Sequence, residues 1–247
     1  MFAYPVKYKY LIYEEVKYMK RMSSLAYHFG VKLRFYPSSK QKKIIKLNYD
    51  AQRFVYNSYV GRNRTSYHAK RYLANRQNRA MPFAFSALNS YEVQLAETVV
   101  INNELLAKPK NIRDAYSFLR VKEIDSLALA NAIQNYQKAW NNYRKIGYGI
   151  PTFHKKRSDW SYQTNCQYLK QPEAYLDNGT ARFIDAKHIK LPKLGIVRIA
   201  GFRKLIKERL LKQIPTRIGT VTIKKTADDQ FYPVSYTHLT LPTIPWV

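Results

Sequence analysis

The sequence predicts an α+β protein, a small β-barrel carrying an inserted helical domain, and three observations lead there. A basic strand opens the ordered part, with Phe29, Val31, Leu33 and Phe35 on one face and Lys32 and Arg34 on the other. Helical periodicity then runs through the middle of the chain. After Gly149 the texture changes to short alternating runs and turns. One strand, a helical block and several further strands are most economically packed as a barrel interrupted by helices.

Each element has its own warrant. Pro37 ends the first strand. Ser38 with Gln41 three residues later forms a capping box for the next helix. Along that helix Ile44, Leu47, Ala51, Phe54, Val55 and Tyr59 fall on one stripe, flanked by Lys42, Lys43, Lys46 and Arg53. A polar, basic stretch, 62–79, follows, and a second, less regular helical pattern spans 83–106. The "AKPKN" segment around Pro109 reads as a linker. Asp125 is placed to cap the clearest helix, on which Leu129, Ile133, Tyr136, Trp140 and Tyr143 recur at spacings of four and three, with Trp140 and Tyr143 assigned to the core. Gly147 and Gly149 close it. Leu191 to Gly195 is a tight turn between two strands, and Asp228 and Asp229 sit in a hairpin turn. The expected division is 1–22 as an N-terminal extension, 23–37 as barrel, 38–148 as the helical insertion, 149–233 as the rest of the barrel, and 234–247 as a foreign, disordered tail.

Charge bounds the function. The 247 residues hold 43 Lys plus Arg against 16 Asp plus Glu, a net charge of +27, which calls for an anionic partner. Nucleic acid leads, ahead of an anionic membrane surface and an acidic protein. The 22 Tyr and 11 Phe interleave with the basic residues, a composition suited to tracking phosphates and stacking bases. A single cysteine, Cys166, excludes an internal disulfide and a CxxC zinc site and fits an intracellular, packed thiol. No apolar run approaches the ~20 residues of a membrane span. The acids are scattered, and the five histidines show no ligand spacing. No catalytic or metal site is visible, and no cofactor is expected. The run "GIPTFHKKR", Gly149 to Arg157, reads as a junction anchored by Phe153, with Lys155, Lys156 and Arg157 as phosphate contacts.

Three stretches together resemble one family. "VKLRFYPSSKQKKIIKLNYDAQRFVYN" resembles the start of the TnpB (OrfB-type) proteins of insertion sequences, through Tyr36, Pro37, Gln41, Arg53, Phe54, Val55, Tyr56 and Asn57. "FLRVKEIDSLALANAIQNYQKAWNNYRK" resembles the family's central helix. "GIPTFHKKR", "SYQT" and "HIKLPKLGIVRI" resemble its basic run and its Leu-Pro-Lys-Leu-Gly turn, with His154 where the family has Lys. The match follows family order from about Tyr27 to Tyr232.

The resemblance implies an RNA-guided DNA endonuclease whose barrel is a wedge domain and whose insertion is a recognition domain. Partners are then guide RNA and double-stranded DNA, in a prokaryotic cytoplasm near the nucleoid, with no membrane. Cleavage in that family belongs to a following RuvC-like domain with divalent metal and zinc, so this chain is expected not to be an enzyme by itself. The positions assigned to nucleic acid are Lys32, Arg34, Lys42, Lys43, Arg53, Tyr56, Ser126, Asn131, Lys155, Lys156, Arg157, Tyr162, Gln167 and Lys193; of these, Ser126 and Gln167 lie where the family reads its DNA motif. Two alternatives remain open. One is a DNA-binding transposase accessory module using 38–80 as a helix-turn-helix, with Gly61 at the turn. The other is a basic membrane-surface protein.

Overall fold

The computed structural model describes residues 27–77, 86–106, 109–146, 148–168, 175–201, 204–212 and 216–239. The elements are β1 (Tyr27–Lys32), β2 (Arg34–Tyr36), α1 (Ser39–Gln77), α2 (Ser86–Leu106), α3 (Pro109–Ala115), a 3-10 turn (Ser117–Arg120), α4 (Ser126–Ile146), β3 (Trp160–Asn165), β4 (Arg182–Asp185), β5 (His188–Leu191), β6 (Gly195–Ala200), α5 (Lys204–Leu211), β7 (Thr216–Lys225) and β8 (Phe231–Leu239). They form two compact units. One holds residues up to Lys46 and from Ser158 onward; the other is Leu47–Arg157. The first turns of α1 thus group with the strands, and the basic run groups with the helices.

The first unit is an eight-stranded antiparallel sheet in the order β3-β7-β8-β2-β6-β5-β4, with β1 also paired to β8. It is a curled half-barrel: β3 and β4 are its ends, and among the described residues the segments beside them meet at the Tyr168–Gly179 bridge and at Thr180 N, which donates to Gln167 O at 2.8 Å. Strict alternation builds the inner face. Val31, Phe35, Val197, Ile199, Val221, Ile223 and Phe231 are buried, while their strand neighbours point outward. The break between β1 and β2 falls at Leu33, whose N–H donates to Pro233 O at 3.2 Å.

Two turns behave as the sequence predicts. Leu191 pairs with Gly195, and Lys193 and Gly195 between them take φ of 62° and 71°. The β7–β8 hairpin turns through Asp228 and Asp229. The Asp229 carboxylate lies 2.7 Å from Lys225 Nζ, which holds it below the usual carboxylate range. At the start of α1 both capping-box bonds form: Ser38 N to Gln41 Oε1 at 2.9 Å and Gln41 N to Ser38 Oγ at 3.3 Å.

Some expectations change. Val234–Leu239, assigned to a disordered tail, form most of β8, paired with β1 and β7. Val, Tyr and Thr here suit a strand, and the Pro-rich composition that suggested disorder belongs to residues beyond 239. Those residues, like 1–22 and Gly147, lie outside the described part, as does the Phe29 side chain. The "linker" at Pro109 is the first residue of α3, where a proline loses no intrahelical bond.

Cys166 is a packed thiol. It donates to Ala181 O at 3.1 Å, and burial raises its pKa. Gly179 sits directly against its Sγ, and a Cβ there would overlap the sulfur and crowd Tyr168. We expect Gly179→Ala to lower the stability of the chain by about 1–3 kcal/mol in a urea titration, with part of the loss recovered when Cys166→Ala is added.

The second unit packs around one core: Ala51, Val55, Tyr56, Tyr59 and Val60 of α1 against Ile112, Leu119, Ile124, Leu129, Ala132 and Ile133. Phe54, Tyr116 and Tyr136 border it. α1 runs unbroken through Gly61, so the turn offered there is not taken. Asp125 caps α4, accepting from Leu127 N at 3.0 Å. Trp140 is half-buried and Tyr143 is exposed, which removes Tyr143 from the expected core; only the first half of α4 has core to face.

Candidate nucleic-acid interface

Because Phe35, Val197, Ile199 and Phe231 point inward, their neighbours Arg34, Tyr36, Arg198 and Tyr232 come to the outer face of the sheet. Register places Tyr36 opposite Arg198. The Arg34 guanidinium lies 5.1 Å from the Tyr232 ring centre and 5.8 Å from that of Tyr36. Arg198 approaches Tyr36 from the other strand at 5.5 Å, and Lys32 Nζ stands 4.7 Å over Tyr232. Arg34 also donates to the Tyr232 hydroxyl at 2.8 Å and to Gln230 Oε1. Three cations are therefore ordered around two tyrosine rings, and Tyr36 is 49% exposed.

This arrangement can do two things at once. Guanidinium forks bind phosphate in a bidentate manner, and exposed tyrosine faces accept bases by stacking. The cation–ring contacts hold the long side chains in place before a ligand arrives, lowering the ordering cost on binding. In the same unit, Lys42 lies 5.8 Å from the Phe231 ring, and Lys43 and Lys193 are exposed. Gln41 fixes the helix start against the β5–β6 hairpin by donating to Leu194 O at 3.0 Å and Ile196 O at 2.9 Å. Gln167 is exposed, with its N–H bonded to Thr180 Oγ1 at 2.8 Å.

In the helical unit the basic run is docked on α1. Asn57 brackets the His154 backbone: its Nδ2 donates to His154 O at 3.0 Å, and its Oδ1 accepts from His154 N at 2.8 Å. The imidazole stacks on Tyr56 at 3.8 Å and 9°. The Phe153 ring lies over Gly61, where an added Cβ would meet it at ordinary contact distance, and Arg64 stands 4.8 Å over the ring. Lys155, Lys156 and Arg157 follow directly and are exposed. The Asn57 clamp had no signal in the sequence beyond its place in the "RFVYN" string.

Three assigned residues are not on a surface. Tyr162 points into the sheet's inner face, Asn131 is buried on α4, and Tyr56 is spent on the core and His154. Arg53 is half-buried, 3.7 Å from Asp50. Ser126 is exposed at the start of α4. The members of the cation–ring face that sequence reasoning did not assign are Tyr36, Tyr232 and Arg198; the alternation in "GIVRIA" was the available sign for Arg198.

Residues 26–71 match the family model of the IS605 OrfB type, described as a helix-turn-helix domain. They are an OrfB-type region. That region comprises β1, β2 and the greater part of α1, and it supplies Lys32, Arg34 and Tyr36 to the cation–ring face. The match suggests a DNA-binding region of a transposon-associated protein. A search of curated proteins found none that matches the chain. Among the described residues no three His, Cys, Asp or Glu side chains are grouped to hold a metal ion, and no helix is long and apolar enough to cross a membrane.

The docked OrfB-type helix carries a pH prediction. Burial, and secondarily the charge of Arg53, lower the His154 pKa below its ordinary 6.5. The undocked ring therefore takes a proton first, and docking weakens as pH falls through the ordinary value toward the lowered one. Relative to its intrinsic rate, exchange of the His154 amide should speed up from about pH 7 to about pH 5, and His154→Phe should abolish that change.

Proposed function

We propose that this chain is the nucleic-acid-holding part of a TnpB-like, RNA-guided DNA endonuclease, gripping structured guide RNA and the duplex beside the DNA target. The observation that carries the reading is that the OrfB-type residues themselves contribute Lys32, Arg34 and Tyr36 to a face of ordered cations and rings. Net charge supports it, at +27. The docked run ending in Lys155, Lys156 and Arg157 offers further phosphate contacts. The half-barrel acts as the wedge and the helical unit as the recognition domain. These residues need no cofactor for that task; divalent metal and zinc belong to the family's RuvC-like domain. The protein works in the prokaryotic cytoplasm, at the nucleoid.

A DNA-only accessory module is the second reading, favoured by the helix-turn-helix description of residues 26–71. Competition binding separates the two. With the purified chain, a structured RNA from the transposon end should displace duplex DNA of equal length at lower concentration, and Mg²⁺ should bring no cleavage. Duplex preference with no RNA affinity would favour the accessory module, and reproducible cutting would overturn the reading of the chain as a holder only.

A further inference from the structure

α2 is exceptional in this basic chain. Its sequence, SALNSYEVQLAETVVINNELL, contains three glutamates and no lysine or arginine. Two of the three acids are occupied by α1: Glu104 pairs with Lys70 at 3.2 Å, and Glu92 accepts from the Tyr72 hydroxyl at 2.6 Å. On the same side Asn103 donates to Ser66 Oγ at 3.0 Å. The opposite side of α2 is open, with large apolar residues set around the exposed Gln94 and Asn102. Tyr91 is 70% exposed, Leu95 53%, Ile101 57% and Leu105 50%. Thr98 lies among them, its hydroxyl turned back to Gln94 O at 2.7 Å, so that it too presents a methyl group.

The positions of these residues have a symmetry. Tyr91 and Leu105 lie equally far from Thr98, and so do Leu95 and Ile101. Two copies of α2 placed antiparallel, with a two-fold axis at Thr98, would set Thr98 against itself and Tyr91 level with the second copy's Leu105 near the centre of the contact, with Leu95 and Ile101 at shared levels along its two edges. Gln94 and Asn102, both exposed, fall opposite each other by the same rule. An interface in which residue i meets j and j meets i is what a two-fold homodimer requires. Electrostatics point the same way. Two copies of a chain at +27 repel each other over most of their surface, and α2 offers a long face without a cation.

We infer that the exposed face of α2 is a self-complementary docking surface for a second copy of this chain, forming an antiparallel helix pair. Tyr91 to Leu105 spans about 21 Å of helix, a small interface, so the dimer is concentration-dependent. It forms without nucleic acid and strengthens as salt rises, since salt screens the repulsion between the copies.

The test is sedimentation velocity on the full chain, nuclease-treated and freed of nucleic acid, over a concentration series at low and high salt. The expected result is a shift from monomer to dimer mass with concentration, greater at high salt, and lost in Leu95→Glu/Ile101→Glu with unchanged circular dichroism. Should that pair unfold the chain, Leu95→Gln/Ile101→Gln serves instead, with the same loss expected. A monomer at every concentration overturns the inference, including the case where the face serves a different protein. So does a dimer untouched by the substitutions, or one that nuclease or high salt dissolves, which would be two copies bridged by nucleic acid.

Discussion

Asn48→Ala is expected to destabilise the helical unit by about 3–7 kcal/mol, a large share of any domain's stability. Asn48 is fully buried, and both ends of its amide are used: Nδ2 donates to Glu123 O at 3.0 Å, and Oδ1 accepts from Asp125 N at 2.7 Å. Truncation leaves two backbone groups without these partners in a dry setting, each worth about 1–3 kcal/mol. It also frees Asp125, whose carboxylate caps α4, at a further cost of about 1 kcal/mol. Asn48→Asp keeps the acceptor, loses the donor and sets a second carboxylate near Asp125, so it should fall between wild type and alanine or below. Chemical denaturation checks the order. An alanine variant within about 0.5 kcal/mol of wild type would mean that Asn48 does not hold the entry to α4.

The second large effect concerns binding. The triple substitution Lys32→Ala, Arg34→Ala and Arg198→Ala removes the cations that the described residues order on Tyr36 and Tyr232. If each holds one phosphate, the slope of log affinity against log salt should flatten by about 0.9 for each lost duplex contact, nearly three in all. Affinity near physiological salt should fall roughly 30- to 100-fold, taking charge-assisted bonds discounted for exposure. Replacing Lys187, Lys207 and Lys212, which carry no ring contact among the described residues, should change affinity far less and serves as the matched control of net charge.

Much of the local structure was legible because its causes are local. The Ser38–Gln41 box, the Asp125 cap, the Leu191–Gly195 turn and the Asp228–Asp229 hairpin all depend on residues within a few positions of each other. The failures have distant causes. The helical stripe was read through Ile44, yet Ile45 is the residue fully buried. α1 contributes its first turns to one core and the rest to another, and a single periodicity assumes one core. Asn48 and Gln52 fall outside the predicted stripe, yet they are buried because they bond backbone groups 75 and 76 residues away. Tyr162 stands among polar neighbours in "WSYQTN", so nothing nearby marked it as inward. Closure of the barrel depends on whether β3 and β4 pair, which no stretch of sequence records.

The cation–ring face was half legible. Lys32 and Arg34 follow from strand alternation, but Tyr232 and Arg198 join them only through the β8-β2-β6 order, across nearly 200 residues. The basic run was recognised by its charges. Its support, Asn57 closing both backbone bonds of His154, is a long-range contact with no pattern of its own.

The central claim is that the outer face of the β8-β2-β6 sheet meets nucleic acid directly, and ultraviolet cross-linking with mass spectrometry tests it most closely. With structured RNA carrying a photoreactive uridine, the cross-linked peptides should include those containing Tyr36 and Tyr232. The yield at both should collapse in the Lys32, Arg34 and Arg198 triple variant. Cross-links confined to residues 47–157, with none at Tyr36 or Tyr232 and no effect of the triple variant, would contradict the account.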